Sequence, residues 1–173
     1  MPALSFDSLP EIVPGVSGSL ILEAIREQET SNCSLGGMRI EASWMPKGER
    51  FALQGRIIIG TGRNYDKSVE AQKYWKLYGV ASAGSYGPWQ LLYHTARVVN
   101  YAGEPFQLMG ESVCHYYAIQ CLKRIAKLGA RTVAEIADGW NSGNPRDGIV
   151  PQAYIDSVVA IYDRLKAEQD ARP

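Results

Sequence analysis

The stretch SGSLILEAIREQET, residues 17–30, is the part of the sequence that decides the fold. Ile21, Leu22 and Ile25 recur at the spacing of one helical face, and a serine at position 17 or 19 can cap the amino end. Glu29 lies one further i+4 step along the same stripe. The stretch therefore predicts a helix whose apolar face ends in a carboxylate.

The bulk composition narrows the classes of function. The chain has 173 residues, 46% of them hydrophobic, which suits one globular domain. Its 18 basic and 18 acidic side chains exclude a broad basic surface for nucleic acid. No apolar run is long enough to span a bilayer, and residues 1–15 lack the basic start and apolar core of a secretory signal. We expect a protein made in the cytoplasm that neither binds nucleic acid nor inserts into a membrane.

The cysteines and histidines do not form a metal-binding pattern. Cys33, Cys114 and Cys121 are odd in number and lack metal-ligand spacing, which indicates reduced thiols. Cys114 and Cys121 are seven positions apart in a helical pattern, so we expect both in the core. His94 and His115 are interpreted as structural or surface residues. We therefore predict neither a metal site nor a cofactor.

Outward from the first helix, the next pattern is that of strands. Met38, Ile40, Ala42 and Trp44 alternate with polar residues, and a second apolar run covers residues 51–59. A Pro-Lys-Gly turn separates the two runs. Together they predict a β-hairpin inserted between helices.

The remaining sequence is predicted to be mainly helical, so the fold class is α+β, mainly α. The expected helices lie near residues 68–78, 89–101 and 111–128, after a capping box at Thr132 and Glu135, and from Gln152 onward. The expected divisions of the chain are an N-terminal arm over residues 1–16, one domain over 17–168 and a C-terminal tail over 169–173.

Glu29 is the first candidate for chemistry. Partial burial and the negative end of a helix both disfavour the charged form of a carboxyl group. A general acid that works near neutral pH requires such an environment. The alternative is that Glu29 is a helix-end glutamate whose carboxylate reaches solvent. Spacing alone leaves both possibilities open.

Three segments resemble the soluble lytic transglycosylases of the lysozyme-like superfamily. GSYGPWQLLYHTA, residues 84–96, is similar to the family motif G-A-x-G-L-M-Q-[IL]-M-P-x-T-A. AIREQET, residues 24–30, is similar to A-I-x-x-Q-E-S, whose glutamate is the catalytic one. IADGWNSG, residues 136–143, is similar to A-x-A-Y-N-A-G. The segments follow one another in the family's order, and the last helix, with Tyr154 and Tyr162, resembles the family's ending.

The resemblance implies a lysozyme-like helical catalytic domain with a small inserted sheet. Glu29 would be the acid/base of an enzyme that cleaves the β-1,4 bond between N-acetylmuramic acid and N-acetylglucosamine. The amide of Gln90 offers a donor and an acceptor to an acetamido group, and aromatic rings suit sugar faces. The residues expected to bind glycan are Ser85, Tyr86, Trp89, Gln90, Tyr93, Trp140 and Asn141.

The predicted sheet keeps a second chemistry open. A hydrolytic muramidase normally uses two carboxylates, whereas a lytic transglycosylase needs one glutamate. The insertion that separates Glu29 from Gln90 supplies Glu41 and Asp66, and either could face Glu29 across a cleft. The alternative for each is a solvated surface acid.

A function of another class also stays open, namely a non-catalytic virion or wall-binding protein on a lysozyme-like fold. In each case the expected partner is the peptidoglycan glycan strand. With no secretory signal predicted, a bacteriophage enzyme would explain access to the wall, either carried in the virion or released as an endolysin. So would a bacterial enzyme moved by a secretion machine. Virion or secretion-machine proteins would then be further partners.

Overall fold

The structure, a computed structural model, describes residues 9–30 and 37–172. These residues form two compact units. We call residues 9–30 together with 115–172 the terminal unit, and residues 37–114 the central unit. The sequence contains no linker that would indicate this division. Cys33 and the first half of the predicted N-terminal arm lie outside the described residues.

The terminal unit is built mainly from helices. Its two short strands pair as an antiparallel hairpin within the segment that the sequence predicted as an irregular arm. Its elements are β1 (Glu11–Val13), β2 (Val16–Ser17), α1 (Gly18–Thr30), most of α4 (Glu111–Lys127), α5 (Val133–Ser142) and α6 (Gln152–Asp170).

Helix α1 confirms the first prediction from the sequence. The Ser17 hydroxyl accepts a hydrogen bond from the Leu20 amide at 3.4 Å, as an N-cap does. Ile21, Leu22 and Ile25 are buried, so the apolar stripe faces the core of the unit. Along its length α1 packs against α6.

Helix α4 buries a slightly different face from the one predicted. The apolar spacing in this segment predicts one buried stripe of Val113, Cys121, Leu122, Ile125 and Leu128. Cys121, Leu122 and Ile125 are buried, whereas Val113 and Leu128 are exposed. The placement of Cys114 and Cys121 in the core is confirmed. The helix is followed by Gly129, whose left-handed backbone is typical of a residue just after a helix end.

The central unit contains the small sheets and two further helices. Its elements are β3 (Met38–Ile40), β4 (Arg50–Leu53), β5 (Arg56–Ile59), α2 (Val69–Tyr78), β6 (Gly84–Tyr86), β7 (Leu91–Leu92) and α3 (Tyr93–Val98). The strands form one three-stranded antiparallel sheet in the order β3-β6-β7 and one separate hairpin of β4 with β5.

The predicted pairing of residues 38–44 with 51–59 is wrong. The second run is itself a hairpin, because Gln54 and Gly55 both have positive φ and form a two-residue turn. β3 instead pairs with β6, and the residues after it form a 3-10 helix at Ala42–Trp44. Phe51 and Ile58 pack on the apolar cluster of the unit, which gives the hairpin one inner face.

The predicted helix over residues 89–101 is shorter than expected. Leu91 and Leu92 form strand β7, and α3 begins only at Tyr93. Gln90, in the turn before β7, has a positive φ of 44°. Residues of a right-handed helix have negative φ, so the helix cannot include this position. The fold class itself is confirmed, since the described residues are mainly helical with small antiparallel sheets. None of the helices described is long and apolar enough to cross a membrane.

His94 on α3 is a buried histidine within an aromatic cluster of the central unit. Its ring stacks on Trp44 with a centroid distance of 4.2 Å, and Tyr74 and Tyr93 border it. Burial lowers the pKa of His94 to about 4, although a hydrogen bond with the Ser82 backbone opposes this shift. The Nε2 atom is buried and has no hydrogen-bond partner in the described part of the chain. The neutral ring is therefore the form that this cluster accommodates.

We expect this histidine to make the protein less stable in acid. As the pH falls from 6.5 toward 4, the unfolded chain binds the proton before the folded chain does. The contribution of His94 to the free energy of unfolding should fall across this window by on the order of 3 kcal/mol and should level off below it. Denaturant unfolding at a series of pH values measures this, and His94→Phe should flatten the profile. An equal slope in both proteins would contradict the assignment.

Candidate active site

Glu29 lies near the carboxyl end of α1, within the terminal unit. It is 7% exposed. The hydroxyl of Tyr154, in the first turn of α6, donates a hydrogen bond to Oε1 of Glu29 at 2.8 Å. A buried carboxyl group requires such a polar partner, because its burial otherwise costs several kcal/mol. The carboxyl group is thus held out of bulk water in a fixed orientation.

The two residues before Glu29 are also bonded to α6. The hydroxyl of Ser157 donates to the side-chain carbonyl of Gln28. Arg164 forms an ion pair with the carboxylate of Glu27, with an Nη2–Oε2 distance of 2.5 Å. Glu27 is partly exposed, whereas Glu29 points to the buried side. Two glutamates on one helical turn therefore have different environments, and Glu29 is the one that lies on the apolar stripe of α1.

Two predicted glycan-binding residues lie on α5 of the same unit. Asn141 is exposed and Trp140 is half-buried. Both side chains therefore retain surface that a ligand can contact. Their role in binding glycan stays a prediction.

Asp138, also on α5, is a buried carboxyl group that sequence reasoning did not select as a site residue. It is 6% exposed, and its Oδ1 has no hydrogen-bond partner among the described residues. Burial raises the pKa of Asp138, the charge of Asp147 raises it further, and a hydrogen bond from the Gly148 amide opposes both. In the sequence Asp138 is flanked by the small residues Ala137 and Gly139, and only the structure shows that all three are buried.

Gln90, in the central unit, has its amide engaged by the protein itself. Its Nε2 donates to the carbonyls of Gly37 and Gly87, both at 2.9 Å. Its Oε1 accepts from the Ser85 hydroxyl at 3.2 Å. Gly87, with a φ of 71°, lets the chain pass so close to Cys114 that a side chain there would collide with its sulfur. The amide therefore locks the turn over residues 87–90.

Ser85 connects Gln90 with Glu41. The Ser85 hydroxyl lies 3.2 Å from Oε1 of Gln90 and 3.4 Å from Oε1 of Glu41. Glu41 also forms an ion pair with Arg39 at 2.6 Å, and both side chains are partly exposed. The structure thus places three predicted site residues, Ser85, Gln90 and Glu41, in one polar group, in which two acceptors share the single Ser85 proton.

The three aromatic candidates of the central unit are fully buried. Tyr86, Trp89 and Tyr93 are each 0% exposed. The hydroxyls of Tyr86 and Tyr93 donate to backbone carbonyls, and burial raises the pKa of both phenols. In this conformation the three rings pack in the interior and offer no surface to a sugar. Contact of these rings with glycan stays a prediction.

Asp66 is an exposed acid in the loop before α2. Its carboxylate lies beside Gly62, where an added Cβ would come within 2.3 Å of Oδ2. It has no contact with the group formed by Ser85, Gln90 and Glu41 among the hydrogen bonds of the described residues. Its use as a second carboxylate stays a prediction.

The sequence-predicted site is divided between the two units. Glu29, Trp140 and Asn141 belong to the terminal unit, and the other seven predicted residues belong to the central unit. Tyr154 contacts Glu29, although the sequence pattern did not predict it as a site residue. The signal for it was its spacing of four and eight positions from the buried Val158 and Tyr162.

Within residues 9–30 and 37–172, no group of three or more His, Cys, Asp or Glu side chains is arranged to hold a metal ion. Comparison with known proteins found no matching family model, no matching curated protein and no matching solved structure.

We expect Gln90→Ala to destabilise the central unit. The change removes three hydrogen bonds and keeps the left-handed backbone of the wild type, so the lost bonds should lower the free energy of unfolding by about 2–4 kcal/mol. Gln90→Gly loses the same bonds but relieves the backbone, and should be more stable than the alanine variant by roughly 1 kcal/mol. Denaturant unfolding measures both. Wild-type stability in Gln90→Ala would show that the amide does not lock the turn.

Proposed function

We propose that this protein is a peptidoglycan lytic transglycosylase with Glu29 as its single acid/base. The observation that carries the proposal is the environment of Glu29, a buried carboxyl group on α1 that accepts a hydrogen bond from Tyr154 at 2.8 Å. A carboxyl group that is shielded from bulk water and held in one orientation is suited to transfer a proton to a bound substrate.

The ordered sequence segments support the same assignment. Glu29 is the residue that AIREQET shares with the catalytic glutamate of the family motif, and the other two similar segments follow it in the family's order. The proposed substrate is the glycan strand of peptidoglycan. The route to the wall, by a phage particle, by lysis or by a secretion machine, stays a prediction.

The proposed reaction needs neither water nor a cofactor. The acid form of Glu29 donates its proton to the oxygen of the glycosidic bond as the bond from that oxygen to C1 of N-acetylmuramic acid breaks. The C6 hydroxyl of the same sugar then attacks C1, and its proton passes to the Glu29 carboxylate. The products are a 1,6-anhydro sugar end and a free 4-hydroxyl group, and Glu29 regains its proton. The Tyr154 hydroxyl can donate to the carboxylate and accept from the acid, so it can orient Glu29 in both states.

We expect Glu29→Gln to abolish the release of soluble fragments from purified peptidoglycan. The amide has the same shape and still accepts from Tyr154, but it cannot donate and recover a proton at neutral pH, so activity should fall at least about 100-fold. Glu27→Gln is the matched control, because it alters a glutamate of the same helical turn that pairs with Arg164. It should keep activity within about twofold.

Circular dichroism should show both variants folded. Wild-type activity in Glu29→Gln would contradict the proposal. If Asp138→Asn lost activity instead, the acid role would belong to the other buried carboxyl group of the terminal unit.

One observation favours hydrolysis as the second candidate. Glu41 is partly exposed and belongs to the same polar group as Gln90 and Ser85, so a carboxylate is available beside a predicted glycan-binding residue. A muramidase would use such a carboxylate together with Glu29.

The products distinguish these two chemistries. We expect mass spectrometry of digested peptidoglycan to find 1,6-anhydro-muramic ends, which are one water lighter than reducing ends. Glu41→Gln and Asp66→Asn should then digest at nearly wild-type rates, because the transglycosylase route needs one carboxyl group. Reducing ends, together with loss of activity in either variant, would support a muramidase instead. The absence of any soluble product would favour the non-catalytic alternative.

A further inference from the structure

A groove in the terminal unit lies between the β1–β2 hairpin and the carboxyl end of α4. It opens to solvent and has a volume of about 390 Å³, which is within the range of small-ligand sites. Four apolar residues and three cations line it: Ile12, Val13, Pro14, Ala126, Lys123, Lys127 and Arg131. We propose that this groove binds a short acidic peptide with small apolar side chains.

The two lysines form a row of like charge that has no acidic partner. Lys123 and Lys127 are exposed and lie one helical turn apart on α4. Like charges at this spacing repel and destabilise a helix. Neither lysine forms an ion pair with any residue that the structure describes. The row is therefore available to neutralise an anion, which would also relieve the repulsion.

Arg131 is already held in place at the same end of α4. Its Nη1 donates to the carbonyls of Ala126 at 3.3 Å and Ala130 at 2.7 Å, which satisfies carbonyl groups at the helix end. The other N–H groups of its guanidinium form no hydrogen bond within the described part of the chain. A planar guanidinium fixed in this way suits a carboxylate, which can accept two parallel hydrogen bonds. The nearby Glu135 accepts from the Arg131 amide and pairs with Arg146 instead.

The spacing and the apolar lining favour a peptide over a simple anion. Lys123 and Lys127 are separated by about 6 Å along the helix axis. An extended peptide advances roughly 3.3 Å per residue, so carboxylates two residues apart match this spacing. Ile12 and Pro14, which are partly or fully exposed, offer contact to methyl groups. A long polyanion is disfavoured, because acidic residues outnumber basic ones in the terminal unit.

This inference rests on the proposed function and adds a second part of the substrate to it. The peptide stems of peptidoglycan carry several carboxylates together with alanine methyl groups, so they have the chemistry that the groove selects. A stem that binds here would hold the glycan strand to the terminal unit, which also carries Glu29.

The test is a titration of the full chain with a fluorescently labelled stem tetrapeptide, alanine, γ-linked glutamate, diaminopimelate and alanine, followed by anisotropy. We expect saturable binding that weakens as salt is added. The double variant Lys123→Gln/Lys127→Gln and the variant Arg131→Gln should each raise Kd at least tenfold. Lys166→Gln, an exposed lysine on α6, is the control and should change Kd less than twofold. The same peptide with its carboxylates amidated should bind at least tenfold more weakly.

Three results would overturn the inference: no saturable binding, equal binding of the amidated peptide, or an unchanged Kd in both groove variants with thermal unfolding as in wild type. Complete displacement of the peptide by an equal concentration of inorganic phosphate would also overturn it, since the groove would then be a simple anion site.

The tetrapeptide has no glycosidic bond, so Glu29→Gln should bind it with wild-type Kd. A wild-type protein that cleaves peptidoglycan but does not bind the peptide would overturn this inference alone. Peptide binding together with full cleavage by Glu29→Gln would overturn the assignment of Glu29 alone.

Discussion

The packing of α1 against α6 is the interaction on which the terminal unit depends, because it joins segments from opposite ends of the chain. Hydrogen bonds link Ser17 to Tyr162 and Glu29 to Tyr154, so both ends of α1 are attached to α6. The second bond joins residues 125 positions apart. Closing so long a loop costs conformational entropy, which the buried apolar stripes of the two helices offset. The orientation of the Glu29 carboxyl group is a consequence of this pairing and not of α1 alone.

The central unit depends in a similar way on the turn over residues 87–90. Gly87 permits the close approach of the chain, and the Gln90 amide then connects the turn with Gly37 and Ser85. A glutamine that the motif associates with sugar binding is thus a structural residue in this conformation. The two roles compete for the same amide groups, because each donor that a backbone carbonyl occupies is lost to a ligand.

A net charge of zero conceals an uneven distribution of charge. Basic residues outnumber acidic ones in the central unit, and the reverse holds in the terminal unit. The groove beside α4 nevertheless gathers Lys123, Lys127 and Arg131 in the more acidic unit. Local fields of this kind act over about one Debye length, roughly 8–10 Å in physiological salt. Composition therefore excluded a broad basic surface and could not reveal a small basic site.

The sequence by itself determined the helices α1, α2 and α4, a serine cap before α1, the Thr132 cap of α5, and the mainly helical class of the fold. Those features depend on residues within about four positions of one another, which periodicity and capping patterns report. Only the tertiary structure decided that β3 pairs with β6 and that residues 50–59 form their own hairpin. It also decided that Tyr154 holds Glu29, that Asp138 is buried, and that the three aromatic candidates of the central unit are interior. These outcomes depend on contacts between residues far apart in the chain, and a spacing pattern carries no information about which distant segment fills a given face.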